Sequence, residues 1–338
     1  MTALPAAPPL ANTAATLTAT GRGILAADES IATMSARLSA EGVTPSATSR
    51  RDYRELLLTA PALAEFVSGI ILCEETFRQS LADGTPFPVA ARALGVLPGI
   101  KVDAGTSVLP GQNGALITEG LDGLGKRLAS FAAAGAAFAK WRAVIDVSTT
   151  SRYSIDANAA ALARYAALCV EHGIVPIVEP EVLSVGDHSL AASEKATRRA
   201  LAALFSALDE ASVEVSAVVL KPNFITPGLA APPADARLVA DVTYSALRDH
   251  VPASVGGIAF LSGGHPTERV CAYLRELSAV TQRPWPVTFS FGRALVSAAL
   301  RTWAGEVSLV ADAQAVLVAN CRAAALSVAK PQGDLGGE

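Results

Sequence analysis

Apolar residues come in short runs that alternate, along the whole chain, with longer stretches of helical periodicity. The runs predict strands at 23–29, 68–76, 99–103, 138–145, 175–183, 217–223, 257–263 and 286–291. Between them, Leu201, Leu204, Phe205 and Leu208 fall at i, i+3, i+4 and i+7, one face of a helix. Val270, Leu274 and Leu277 repeat that spacing behind Pro266, which suits a first helical turn, and Gly173 stands where a C-terminal cap is expected. Eight strands separated mostly by helical segments predict an α/β fold, a single-domain TIM (β/α)8 barrel with a parallel closed sheet. An open doubly wound sheet is the alternative. The barrel is expected over residues 21–325, between a weakly charged N-terminal arm (1–20) and a loose C-terminal tail (326–338).

The polar residues interrupt this pattern in one recurring place. The stretch SAVVLKPNF (216–224) runs from apolar β-formers straight into Lys221 before a proline ends the strand. A buried ammonium needs a partner, an exit to water or a reason to be neutral, and taken alone Lys221 reads as a side chain snorkelling past a strand end. The other strand ends carry Asp28, Glu74 and Glu75, Lys101, Lys140 and Arg142, Glu179 and Glu181, Ser262 and Gly263, and Ser290 with Arg293. In a barrel these ends face one cavity, where active sites are built.

Alternation along a strand puts Lys140 and Arg142 on one face, and likewise Glu179 and Glu181. For Arg142 and Glu181 a structural ion-pair network is an equal reading; for Lys140, Lys221 and Glu179 together chemistry is the better one. A free lysine titrates near 10.4, and desolvation together with a neighbouring cation favours its neutral amine, a nucleophile toward ketones. A carboxyl such as Glu179 can then shuttle protons. The further cations Lys101 and Arg293, with the glycine turn of FLSGGH, imply an anionic substrate and suggest a phosphorylated sugar.

Composition narrows the rest. A net charge of −4 argues against an electrostatic nucleic-acid binder. No uninterrupted run of about 18 apolar residues predicts a membrane span. The four scattered cysteines read as reduced core residues of a cytoplasmic protein, and the four histidines lack metal-ligand spacing, so no metal is expected. GRGILA (21–26) mimics a dinucleotide fingerprint but precedes a strand instead of following one, and in GLDGLGKR (120–127) Arg127 stands where a P-loop needs a hydroxyl.

In order, GRGILAADES, GIKVD, FAKWR, IVPIVEPE, LKPN followed by TPG, FLSGG and FSFGRAL resemble class I fructose-bisphosphate aldolase, from about residue 15 to about residue 325. The resemblance implies a metal-independent, cofactor-free lyase of glycolysis and gluconeogenesis, commonly a homotetramer. Such enzymes cleave fructose 1,6-bisphosphate reversibly into dihydroxyacetone phosphate and glyceraldehyde 3-phosphate through a lysine Schiff base. By match to the family's motifs, Lys221 would be the Schiff-base lysine and Glu179 the general acid/base, supported by Glu181. Asp28 would bind and deprotonate the C4 hydroxyl, Lys140 would stabilise the carbinolamine, and Arg142 would order the carboxylates. Ser30, Thr33, Arg37 and Lys101 would serve the far phosphate; Ser262, Gly263, Ser290, Gly292 and Arg293 would hold the phosphate beside the ketone. The run SRRDYRELLLTA, with Arg50, Arg51 and Tyr53, reads as structural. Familiar animal enzymes end in a tyrosine that helps move the enamine proton, whereas here no tyrosine follows Tyr273. Another group or the bound phosphate would take that role. Another Schiff-base sugar-phosphate lyase and a catalytically silent barrel are the rival readings.

Overall fold

The computed structural model describes residues 9–329. Its strands are β1 (Gly23–Ala27), β2 (Val67–Leu72), β3 (Leu97–Lys101), β4 (Thr106–Val108), β5 (Leu116–Thr118), β6 (Phe138–Ile145), β7 (Val175–Val182), β8 (Val219–Leu220), β9 (Gly257–Phe260) and β10 (Val287–Phe291). Eight of them close a parallel barrel in the order β1–β2–β3–β6–β7–β8–β9–β10. The closed TIM barrel expected from the apolar runs is therefore the fold, and the open sheet is excluded. The remaining two, β4 and β5, form a small antiparallel hairpin between β3 and β6 that the apolar pattern did not announce.

Two apolar layers hold the barrel. The larger lies between the sheet and its surrounding helices and includes Trp141, Tyr165, Phe260, Phe289 and Phe291. The smaller fills the N-terminal end of the bore with Ile24, Ile71, Phe138, Val175, Ile177, Val219 and Ala259. Ala14 and Leu17, from the helix Leu10–Leu17, cap this second layer. Part of the N-terminal arm is thus an ordered cover over the barrel floor, burying about 1.5–3 kcal/mol worth of leucine side chain at position 17. Glycine makes room for it: a Cβ at Gly99 would lie 2.2 Å from Cε2 of Phe138, and one at Gly69 would lie 2.7 Å from Cδ2 of Leu17.

With the floor packed, the opposite end of the bore is left for polar chemistry. There β8 is only two residues long, because Pro222 has no N–H to offer the ladder. Pairing continues by other means: Lys221 N–H donates to Val178 at 2.8 Å, and the side chain of Asn223 accepts from Val182 N–H at 3.0 Å. The final helix runs Val310–Val328, past the boundary drawn at residue 325; residues 330–338 of the expected tail lie outside the described residues. The segment Val307–Val328 is long and apolar enough to cross a bilayer by length and composition, although Asp312 and Arg322 interrupt it. Here its Ala313, Leu317, Cys321 and Ala324 stripe packs into the main core.

Candidate active site

The C-terminal strand ends open into a cavity of about 500 Å³. Every residue given a role by match to the family's motifs lines it, from Asp28 after β1 to Arg293 after β10. Glu74 and Glu75 do not. The strand before them stops at Leu72, and the short helix Glu74–Phe77 turns them outward. There Glu75 takes two hydrogen bonds from Arg50, at 2.7 and 2.6 Å, while Glu74 pairs with Arg78 at 3.0 Å.

At the centre stand Lys140, Glu179 and Lys221, each 4% exposed. Their placement follows from strand register. Arg142 on β6 stands level with Glu179 on β7, and Lys101 on β3 level with Lys140 on β6. Nζ of Lys221 lies 2.9 Å from Oε1 of Glu179. The other oxygen, Oε2, lies 3.1 Å from Nζ of Lys140 but outside hydrogen-bond alignment, so that contact is one of charge. Lys140 also pairs with Asp28 at 2.9 Å and approaches Asp103 at 4.0 Å. Two lysine amino groups and three carboxyl groups thus crowd together at the base of the cavity, where a buried charge is tolerable only beside an opposite one.

Titration follows this arrangement. Burial pushes the Asp28 carboxyl up, but Lys140, Lys221 and Lys101 overcome it and hold the group at about 2. Burial likewise disfavours the charged form of Glu179, yet Lys140, Lys221 and Arg142 keep it below the usual carboxylate range. Lys140 stays above the ordinary lysine value, since Asp28, Glu179 and Asp103 outweigh its desolvation. Arg142 is raised for the same kind of reason, facing Glu181, which accepts from its Nε.

Two cationic or donor-rich rims flank the centre. On the side of β9 and β10, Gly263 and Gly264 take left-handed φ of 56° and 86°, which turns the backbone after Ser262. The loop runs close to Arg293: a Cβ at Gly264 would lie 3.4 Å from its Nη2. Ser290 holds a buried hydroxyl with no partner among the described residues, and Gly292 opens the helix Arg293–Trp303, whose N-terminus favours anions. On the side of β1 and β3, Ser30 caps the helix Ile31–Ala40, its Oγ accepting from Thr33 N–H at 3.2 Å. Arg37 follows one turn after Thr33, and Lys101 pairs with Asp103 at 2.7 Å. Chemically, the cavity offers an amine beside a proton-relaying carboxylate, between two anion-binding ends.

Asp103 and Glu29 belong to this cavity and were not picked out from the sequence. Asp103 had a signal available, since it follows Lys101 by two positions within IKVD. Glu29 had none: its neighbours in the chain point to Asp28 and Ser30 instead.

The comparisons with known proteins agree with this geometry. The family described as fructose-bisphosphate aldolase class-I matches residues 9–334. Fructose-bisphosphate aldolase 6, cytosolic, of Arabidopsis thaliana is 46% identical over 306 residues, covering 90% of this chain and 86% of its own. A probable fructose-bisphosphate aldolase class 1 of Xanthomonas campestris is 46% identical over 302 residues, covering 88% and 90%. Among solved structures, the fructose-bisphosphate aldolase of Plasmodium falciparum, crystallised with TRAP and a small-molecule inhibitor, superposes with a TM-score of 0.92 at 39% identity, covering 95% of both chains. Barrel, cavity and relatives converge, and the chain belongs to the class I fructose-bisphosphate aldolases.

Proposed function

We propose that Lys221 is the residue through which this aldolase forms its Schiff base, and that Glu179, Lys140 and Asp28 work around it as one relay. The observation that carries the reading is the unbroken chain of contacts from Lys221 to Glu179, on to Lys140, and from there to Asp28. The amine of Lys221 attacks the ketone carbon, giving up its proton toward Glu179. Glu179 returns that proton to the carbinolamine oxygen, takes a second proton from the nitrogen and passes it to the hydroxyl, which leaves as water, so that an iminium remains. That iminium draws electrons from the bond between C3 and C4 as Asp28 takes the proton of the C4 hydroxyl. The aldehyde departs, a proton returns to C3 of the enamine in place of the one Asp28 took, and water adds to the resulting iminium to release the ketone product and the free amine of Lys221. Lys140 offsets negative charge as it develops on the substrate oxygens and on the two carboxylates it touches.

The substrate's two phosphates fix its register. Ser262, Gly263, Ser290, Gly292 and Arg293 take the phosphate beside the ketone; Ser30, Thr33, Arg37 and Lys101 take the far one. Arg142 pairs with Glu181 and acts on Glu179 by charge, and so orders both carboxylates. Replacing Lys221 by methionine tests the assignment. Cleavage of fructose 1,6-bisphosphate should fall to background while the melting temperature stays near wild type. Retained cleavage would place the nucleophile elsewhere.

The same reading takes the protein as a cytoplasmic oligomer, expected to be a homotetramer. Plant relatives named cytosolic or cytoplasmic support the first part. Sedimentation of the purified protein tests the second, with a monomer as the contrary result.

A further inference from the structure

The helix Ala47–Leu58 packs against the outside of the barrel, and its Arg54 side chain is only 1% exposed. Helix packing alone does not call for a guanidinium in such a place. A desolvated cation is costly, and an apolar side chain of similar volume often serves stability as well or better. The bonds of Arg54, however, all point toward the loop after β1. Its Nε donates to the carbonyl of Ala27 at 2.8 Å, and its Nη2 donates to Oε2 of Glu29, also at 2.8 Å. Its Nη1 is buried without a partner among the described residues. The other oxygen of Glu29 accepts from Nη1 of Arg37, whose Nη2 reaches Oγ of Ser297 at 3.3 Å. Glu29 and Arg37 line the cavity, whereas Arg54 stands behind its wall.

We infer that Arg54 is a positioning residue for the far phosphate: through Glu29 it fixes the pose of Arg37, and so favours substrates phosphorylated at both ends. This rests on the reading of Arg37 as a ligand of that phosphate. The planar fork of Arg54 clamps the backbone at Ala27 and the carboxylate of Glu29 at once, a geometry a lysine cannot reproduce. With one oxygen of Glu29 fixed, only the other is free to hold Arg37. Arg37 therefore meets the substrate from a set direction and does not have to be ordered on binding, which is a saving in binding free energy. Glutamine at position 29 breaks the arrangement without changing its shape, because one amide cannot accept from two guanidiniums through both its terminal atoms.

The test compares kcat/KM on fructose 1,6-bisphosphate with kcat/KM on fructose 1-phosphate, which lacks the far phosphate. In Arg54→Met and in Glu29→Gln the ratio should fall about tenfold, mainly through KM for the bisphosphate. Arg54→Lys should restore part of the loss at most. In an Arg37→Ala background, Arg54→Met should lower the ratio no further, since both act through one contact. Melting curves establish that each variant is folded, and Glu29→Gln carries the comparison should Arg54→Met fail to fold. Equal loss on both substrates indicates a purely structural role and overturns the inference, as does a ratio loss that simply adds to that of Arg37→Ala. An unchanged ratio in Arg37→Ala itself overturns the phosphate assignment and the inference with it, a failure distinguishable from one confined to Arg54.

Discussion

Oε1 of Glu179 lies 2.9 Å from Nζ of Lys221, so the proposed nucleophile and the proposed proton carrier are already in contact. With both residues 4% exposed, bulk water is a poor rival for that proton. Glu179→Gln keeps the shape and removes the base. Turnover should drop by about 10²- to 10⁴-fold while binding of the bisphosphate survives. Steady-state kinetics with a separate binding measurement checks this. Wild-type turnover would mean that another carboxylate carries the proton.

Aldol cleavage through an iminium needs no Lewis acid, because the protonated imine is itself the electron sink. Activity should therefore survive exhaustive treatment with EDTA. A loss that zinc restores would contradict the amine route.

Acid stability has a specific weak point in His265, which is 7% exposed and shares a 3.1 Å hydrogen bond through Nε2 with Thr226. Burial, and secondarily Arg269, lowers its pKa from 6.5 to about 4. Between those values the unfolded chain carries the proton and the folded one does not. Stability should therefore fall as the pH drops from 6.5 toward 4, by on the order of 2 kcal/mol from this group. Asp28, held at about 2, adds a loss of the same sign at lower pH. Its pairing stabilises fully above the ordinary carboxylate range, and that contribution is lost progressively as pH falls from about 3.8 to about 2. Denaturant titrations at pH 7 and 4.5 should show the His265 loss, and His265→Gln should flatten it. An undiminished slope in the variant would assign the effect elsewhere.

The barrel floor makes a prediction about stability alone. A methyl group at position 99 would meet the Phe138 ring at 2.2 Å, and strand backbones on a closed barrel have little room to yield. Gly99→Ala should cost about 1–3 kcal/mol by overpacking. A neutral result in a denaturant melt would mean that Phe138 finds another rotamer.

The strands were legible in the sequence because each carries a compact apolar run, and their count led to the closed barrel. Their ends were less legible. The run 217–223 shrinks to Val219–Leu220 because Pro222 removes a donor, and 68–76 stops at Leu72 because the chain turns into a short helix. The hairpin of β4 and β5 escaped notice, since the first of its strands is exposed throughout and carries no apolar alternation. Within the site, cations and carboxylates at strand ends could be read because alternation and strand parity fix where they point. Arg54 could not, as its meaning lies in a contact with Glu29 across 25 residues of chain. Glu74 and Glu75 look like site residues by position and are excluded only by the local turn that carries them away.

All of these roles depend on one covalent bond. Reduction with borohydride in the presence of dihydroxyacetone phosphate should add the reduced sugar phosphate to Lys221, read by peptide mass spectrometry, and inactivate the enzyme in proportion. Inactivation with Lys221 unmodified, or a label on a different lysine, would contradict the account at its root.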